Sequence, residues 1–136
     1  MLIVDTSVWI DFLRGEKTKA CETLRELINS EEEIYITEII LTEILQGIKD
    51  DKLYNLIKEY LLYFPVLKPK GIETYIRASE IFRNCKKKGK TVRKTIDCII
   101  ASIAIENRAT IIHKDHDYET IREFSELKTI NMGNFC

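Results

Sequence analysis

Short apolar runs without period-two alternation, each followed by a helical stretch, restrict this chain more than any other feature. Residues 1–4, 34–36, 65–67, 110–113 and 127–130 read as strands by their length and their content of β-branched residues. Runs of that kind have no polar face, so they are expected to be buried on both faces of a mostly parallel sheet sandwiched by helices. The 136 residues hold only two prolines and five glycines, little material for the tight turns of an all-β sandwich. The expectation is one α/β domain spanning residues 1–136, because a second core would be too small to fold alone.

The helical stretches follow from periodicity and capping chemistry. Thr6 and Ser7 are hydroxyls placed to cap a brief helix that carries Val8, Trp9, Phe12 and Leu13 and ends at Gly15. Residues 17–30 place Leu24, Leu27 and Ile28 on one face. Thr37 can cap a helix that Gly47 closes, and residues 50–63 repeat the apolar spacing with Leu53, Leu56, Ile57, Tyr60 and Leu61. Residues 70–88 are helical and increasingly basic. Thr95 opens a helix with Ile96, Ile99, Ile100 and Ile103 at i, i+3, i+4 and i+7, and residues 116–124 form a short last helix.

Composition excludes several classes. Hydrophobic residues make up 45% and charged residues 32%, as in an ordinary globular chain. No apolar stretch approaches the roughly 20 residues of a bilayer crossing. The opening stretch has no basic start and carries Asp5 and Asp11, unlike a signal peptide. A cytoplasmic protein with no membrane partner is expected. Cys21, Cys85, Cys98 and Cys136 lack any paired or metal-finger spacing and read as free thiols. Net charge is −1 but unevenly placed: residues 1–68 sum to −5 and residues 69–136 to +4. A positive second half can attract a polyanion despite the neutral total.

In an open parallel sheet, ligands bind beyond the carboxyl ends of the strands. Asp5 ends the first strand; Asp115 and Asp117 follow the fourth. Asp97 falls in the first turn of the isoleucine-rich helix, where the helix dipole favours an anion. Glu43 is the lone charge within Ile39-Ile40-Leu41-Thr42-Glu43-Ile44-Leu45. Taken singly, Asp5 reads equally as a turn acid, Asp97 as a helix-end acid, and Asp115 or Asp117 as loop acids. Together they would repel one another at one edge of the sheet. Hard divalent cations relieve such repulsion, and oxygen-only ligands select Mg²⁺ or Mn²⁺ over Zn²⁺.

Four segments in order carry a family likeness: Val4-Asp5-Thr6-Ser7-Val8-Trp9-Ile10-Asp11, Thr42-Glu43-Ile44-Leu45-Gln46-Gly47, Ile96-Asp97-Cys98-Ile99-Ile100-Ala101-Ser102-Ile103-Ala104 and Ile111-Ile112-His113-Lys114-Asp115-His116-Asp117-Tyr118. With them the chain resembles the PIN-domain ribonucleases, most closely the VapC-type toxins of toxin–antitoxin modules. The resemblance implies a five-stranded parallel sheet of order 3-2-1-4-5 with an acidic site at its carboxyl edge. It matches Asp5, Glu43, Asp97 and Asp115 to the family's acidic quartet. Asp117 matches the acid of a following acid–aromatic pair, and Ser7 a hydroxyl lining the site. It further implies a homodimer and a small antitoxin protein that covers an apolar groove beside the site. One position departs: where the family commonly carries Thr or Ser two residues before the fourth acid, this chain has His113.

The expected chemistry is Mg²⁺-dependent hydrolysis of RNA phosphodiester bonds. Asp5, Asp97 and Asp115 or Asp117 would hold metal, and Glu43 would complete the shell or position the attacking water. Residues 86–94 hold six bases, Lys86, Lys87, Lys88, Lys90, Arg93 and Lys94, and lead into the Asp97 helix. They read either as a solvated loop or as a sequence-independent contact to the RNA backbone. His116 invites an acid–base role but reads better as a surface residue. Trp9, Phe12 and Leu13 suit either the core or a docking face. A module that binds RNA without cleaving it is the alternative function; the intact acid set argues against it.

Overall fold

In the computed structural model, which describes residues 1–133, the apolar runs become five strands of one parallel sheet. In chain order the strands are β1 (Leu2–Val4), β2 (Ile34–Thr37), β3 (Val66–Leu67), β4 (Thr110–His113) and β5 (Lys128–Asn131). The helices are α1 (Thr6–Leu13), α2 (Lys19–Asn29), α3 (Glu38–Gln46), α4 (Asp51–Leu61), α5 (Ile72–Lys87), α6 (Thr95–Asn107) and α7 (His116–Glu123). The strand order is β3-β2-β1-β4-β5 with every pairing parallel, as the resemblance implied.

Register explains why the acids share one edge. Val4 pairs with Ile112, so Asp5 and His113, each one residue further, leave β1 and β4 at the same level. The backbone N–H of Asp5 still donates to the Ile112 carbonyl at 2.9 Å before the chain turns into α1. Ile3, Val4, Ile36, Ile111 and Ile112 are buried in the sheet, and Ile40, Ile44, Ile100 and Ile103 reach it from α3 and α6. Trp9 is fully buried, with edge contacts to Phe12, Tyr60 and Phe64, so it belongs to the core.

Helix α6 is sealed in rather than amphipathic: Asp97, Cys98, Ile100, Ala101, Ser102, Ile103 and Ala104 are all buried. Ser102 donates to the Thr74 carbonyl of α5 at 2.7 Å. Glu106 accepts from the Thr74 hydroxyl at 2.7 Å and from Arg77 at 3.1 Å, so its carboxylate is satisfied at the α5–α6 seam. This clamp fixes the helix whose first turn presents Asp97.

Two sequence expectations are corrected here. Strand β5 is not buried on both faces: Lys128 and Ile130 are exposed and Thr129 and Asn131 half-buried, because it is an edge strand paired only to β4 among the described residues. Thr6 and Ser7 do not cap α1. Asp5 occupies the N-cap position without a side-chain capping bond, and the two hydroxyls turn to carboxylates instead. Thr37 does cap α3, accepting from the Ile40 N–H at 3.1 Å. Pro65, which has no N–H, stays outside β3, yet its carbonyl accepts from Ile36 at 2.9 Å.

Candidate metal centre

Three carboxylates converge where β1 and β4 end. Asp97 projects from the first turn of α6; Asp115 is the N-cap of α7 and Asp117 lies in its first turn. One oxygen from each lies within 4.8 Å of the others. Asp97 and Asp117 are buried and Asp115 is half-buried. Asp115 Oδ1 accepts from the Asp117 N–H at 3.0 Å, which spends one of its oxygens on the helix cap. Asp97 Oδ2 is buried with no hydrogen-bond partner. A buried carboxylate oxygen left bare costs free energy unless something outside the described residues satisfies it. Burial first, then the charges of Asp5, Asp115 and Asp117, push the Asp97 carboxyl up to about 7, with Lys94 pulling the other way.

Asp5 stands beside this trio but is not part of the mutual 4.8 Å set. Each of its oxygens accepts one hydrogen bond: Tyr118 Oη donates to Oδ1 at 2.9 Å and Ser7 Oγ to Oδ2 at 3.2 Å. Glu43, on α3, also lies outside the set and accepts from Thr6 Oγ1 at 2.8 Å. Burial holds the Tyr118 hydroxyl well above its ordinary range, and Asp5, Asp97 and Glu43 add to that shift. Tyr118 is therefore a permanent donor surrounded by the acids. Thr6 and Tyr118 are the two site-supporting residues that local sequence reading left out. Partners 37 and 113 residues away leave no local trace.

The basic run divides into three parts. Lys86 and Lys87 end α5, and Lys88 caps it; all three are exposed. Gly89, at φ +81°, turns the chain, and Lys90 then pairs with Glu123 of α7 at 2.8 Å and lies over the Phe124 ring. Buried Val92 anchors the loop. Beyond it, Arg93 approaches Asp117 at 3.5 Å and Asp115 at 3.8 Å, with its backbone N–H donating to Asp117 Oδ2 at 3.3 Å. Lys94 Nζ lies 4.0 Å from Asp115. Arg93 and Lys94 thus supply positive charge to the acidic cluster itself.

His113 is fully buried at the end of β4. Its Nδ1 accepts the Asp115 N–H at 3.0 Å, and its Nε2 meets Glu119 Oε2 at 2.9 Å. His116 is an exposed first residue of α7. Cys21, Cys85 and Cys98 are free and buried; burial, with smaller contributions from Cys85, Asp97 and Asp117, pushes the Cys98 thiol up to about 12, out of nucleophile range. Cys136 lies outside the described residues. Between α1, α3 and α4 lies a groove of about 290 Å³ with Ile10, Leu13, Ile44, Leu53 and Ile57 in its walls. No helix among the described residues is long and apolar enough to cross a membrane.

The chain is similar to known proteins. The PIN domain family model covers residues 2–124. The VapC ribonuclease Mb1587 of Mycobacterium bovis and Ribonuclease VapC11 of Mycobacterium tuberculosis are each 32% identical over 129 residues, 94% of this chain and 96% of theirs. VapBC-5 from Mycobacterium tuberculosis, solved as a member of the VapBC family of toxin–antitoxin systems, shares the fold with a TM-score of 0.68 and 17% identity. That match covers 95% of this chain and 96% of the other. With a family model over nearly its whole length and VapC relatives at this identity and coverage, the chain belongs to the PIN domain family and, within it, to the VapC proteins.

Proposed function

We propose that this protein is a Mg²⁺-dependent endoribonuclease, with Mn²⁺ as a substitute metal, and the toxin of a cytoplasmic toxin–antitoxin pair. The observation that carries the reading is the trio Asp97, Asp115 and Asp117, three carboxylates within 4.8 Å with the buried Asp97 Oδ2 unpartnered. An oxygen-only set of this charge suits a hard cation. Asp97 and Asp115 or Asp117 would hold the metal together with Asp5, which stands beside them at the end of β1.

When bound, the metal supplies a water of lowered pKa and polarises the phosphoryl oxygen. The chain's own residues do the rest. Tyr118 and Ser7 fix both oxygens of Asp5, and Thr6 holds Glu43, leaving its other oxygen to orient a water for attack. Lys86, Lys87 and Lys88 give a phosphate backbone an exposed positive approach, and Arg93 and Lys94 stand where that strand would meet the acids. No histidine is required as general base.

The apolar groove between α1, α3 and α4 suits the antitoxin segment, since Leu13 and Leu53 open onto it while Trp9 stays in the core. That VapBC-5 was solved as a toxin–antitoxin system supports such a partner, and a homodimer accords with the same kinship. The deciding experiment incubates purified protein with RNA in Mg²⁺ and in excess EDTA. Cleavage in Mg²⁺, lost in EDTA and absent from Asp97→Asn, supports the reading. Binding without cleavage in Mg²⁺ favours the non-catalytic alternative.

A further inference from the structure

At the end of β4, two residues before Asp115, this chain has a buried imidazole built into a continuous set of hydrogen bonds. The Asp115 N–H donates to His113 Nδ1 at 3.0 Å, so Nδ1 carries no proton. The ring proton then sits on Nε2 and is donated to Glu119 Oε2 at 2.9 Å. Thr129 Oγ1 of β5 donates to the same Glu119 oxygen at 2.6 Å, and Arg122 Nε donates to Oε1 at 3.2 Å. Glu119 is thus a committed acceptor, and a committed acceptor fixes the tautomer. The main chain at His113 is pinned as well, because its carbonyl accepts from Met132 at 2.6 Å.

We propose that His113 is the positioning residue for Asp115, holding its backbone, and through it the direction of its carboxylate, by a strut that runs from Asp115 through His113 and Glu119 to Thr129. The inference rests on the reading of Asp115 as a metal ligand. The Asp115 carbonyl also accepts from the Tyr118 N–H at 3.3 Å, and its side chain caps α7 and faces the exposed cations Arg93 and Lys94; among the described residues His113 is the acceptor for its N–H. Groups that orient ligands from behind are worth about ten- to a hundredfold in metal affinity. The strut differs from plain packing in one respect: it needs an acceptor at the Nδ1 position more than a donor at the Nε2 position, since Glu119 keeps Thr129 and Arg122 if the imidazole is lost.

The test compares His113→Asn, whose side-chain oxygen overlies Nδ1, with His113→Gln, whose amide overlies Nε2. Mg²⁺ affinity is read by calorimetry alongside wild type and Asp115→Asn. The strut predicts that His113→Asn, which keeps an acceptor at the Nδ1 position but loses the Glu119 anchor, binds between wild type and His113→Gln, and that His113→Gln binds about ten- to a hundredfold more weakly than wild type. A merely structural histidine predicts the reverse order or equal affinities, and either result overturns the proposal. If Asp115→Asn binds Mg²⁺ like wild type, the ligand assignment fails instead, and the two failures stay distinct. Should either variant not fold, the ring ¹⁵N shifts of wild-type His113 in EDTA decide. A ring without a proton on Nδ1 is expected; a proton on Nδ1 contradicts the strut.

Discussion

The Tyr118 hydroxyl, without any exposure to solvent, donates to Asp5 Oδ1 at 2.9 Å across 113 residues of sequence. It joins α7 to the end of β1 and holds the Asp5 carboxylate in one orientation, with a second lone pair on that oxygen still open. Tyr118→Phe should therefore strip a charge-assisted bond from a buried carboxylate. A loss of roughly 1.5–3 kcal/mol of stability is expected, with metal-dependent cleavage reduced about tenfold. Urea melts and initial cleavage rates check both, and unchanged values would make Tyr118 a packing residue.

Proton linkage at Asp97 has a definite sign. Its carboxyl is raised to about 7 in the folded, metal-free protein, well above the roughly 3.9 of an unfolded aspartate. Between those values the folded state binds more protons than the unfolded one. Metal-free stability should then fall as pH rises from about 4 to about 7, at up to about 1.4 kcal/mol per unit from this group, and level off above. Mg²⁺ must displace that proton, so its affinity should rise with pH through about 7 and then become flat. Chemical denaturation in EDTA and calorimetry across pH 5–8 test the two slopes.

Arg93 faces Asp117 at 3.5 Å and Asp115 at 3.8 Å, where its charge opposes a metal and favours a phosphate. Arg93→Ala should tighten Mg²⁺ binding while weakening RNA binding, opposite effects from one substitution. Equal weakening of both would mean that Arg93 only shapes the loop.

The lysines should separate by location. Lys86→Gln, Lys87→Gln and Lys88→Gln together should weaken RNA binding and flatten its salt dependence by up to about three counterions' worth of slope. Lys90→Gln should change that slope far less, because its ammonium is held by Glu123 at 2.8 Å. Filter binding from low to moderate salt reads both, and equal slopes for all variants would show the run to be a bystander.

The strands were legible because a parallel sheet buries both faces, and β1, β2 and β4 announce this as two or three consecutive apolar residues. β5 was misjudged in burial because an edge position depends on which strand lacks a neighbour, which Lys128 and Thr129 alone do not reveal. The acids were visible as charges at strand ends, and Asp97, Asp115 and Asp117 do meet. What supports them was not. A hydroxyl just after a strand reads as a helix cap that accepts from a backbone N–H, yet Asp5 takes the N-cap position and Thr6 and Ser7 donate their protons to Glu43 and Asp5, acceptors that only the fold brings within reach. Lys90 read as one base among six until Gly89 turned it onto α7.

The central claim, that Asp97 belongs to a carboxylate metal site, is tested most directly by melting wild type and Asp97→Asn at pH 8 in EDTA and in millimolar Mg²⁺. At that pH wild-type Asp97 is ionised against its neighbours, so the substitution should raise stability in EDTA by roughly 1–3 kcal/mol. Wild type should then gain stability from Mg²⁺, while Asp97→Asn should gain little, because a ligand stabilises only the state that binds it. If Asp97→Asn melts lower than wild type in EDTA and responds to Mg²⁺ as wild type does, Asp97 is a helix-end acid and the metal centre lies elsewhere.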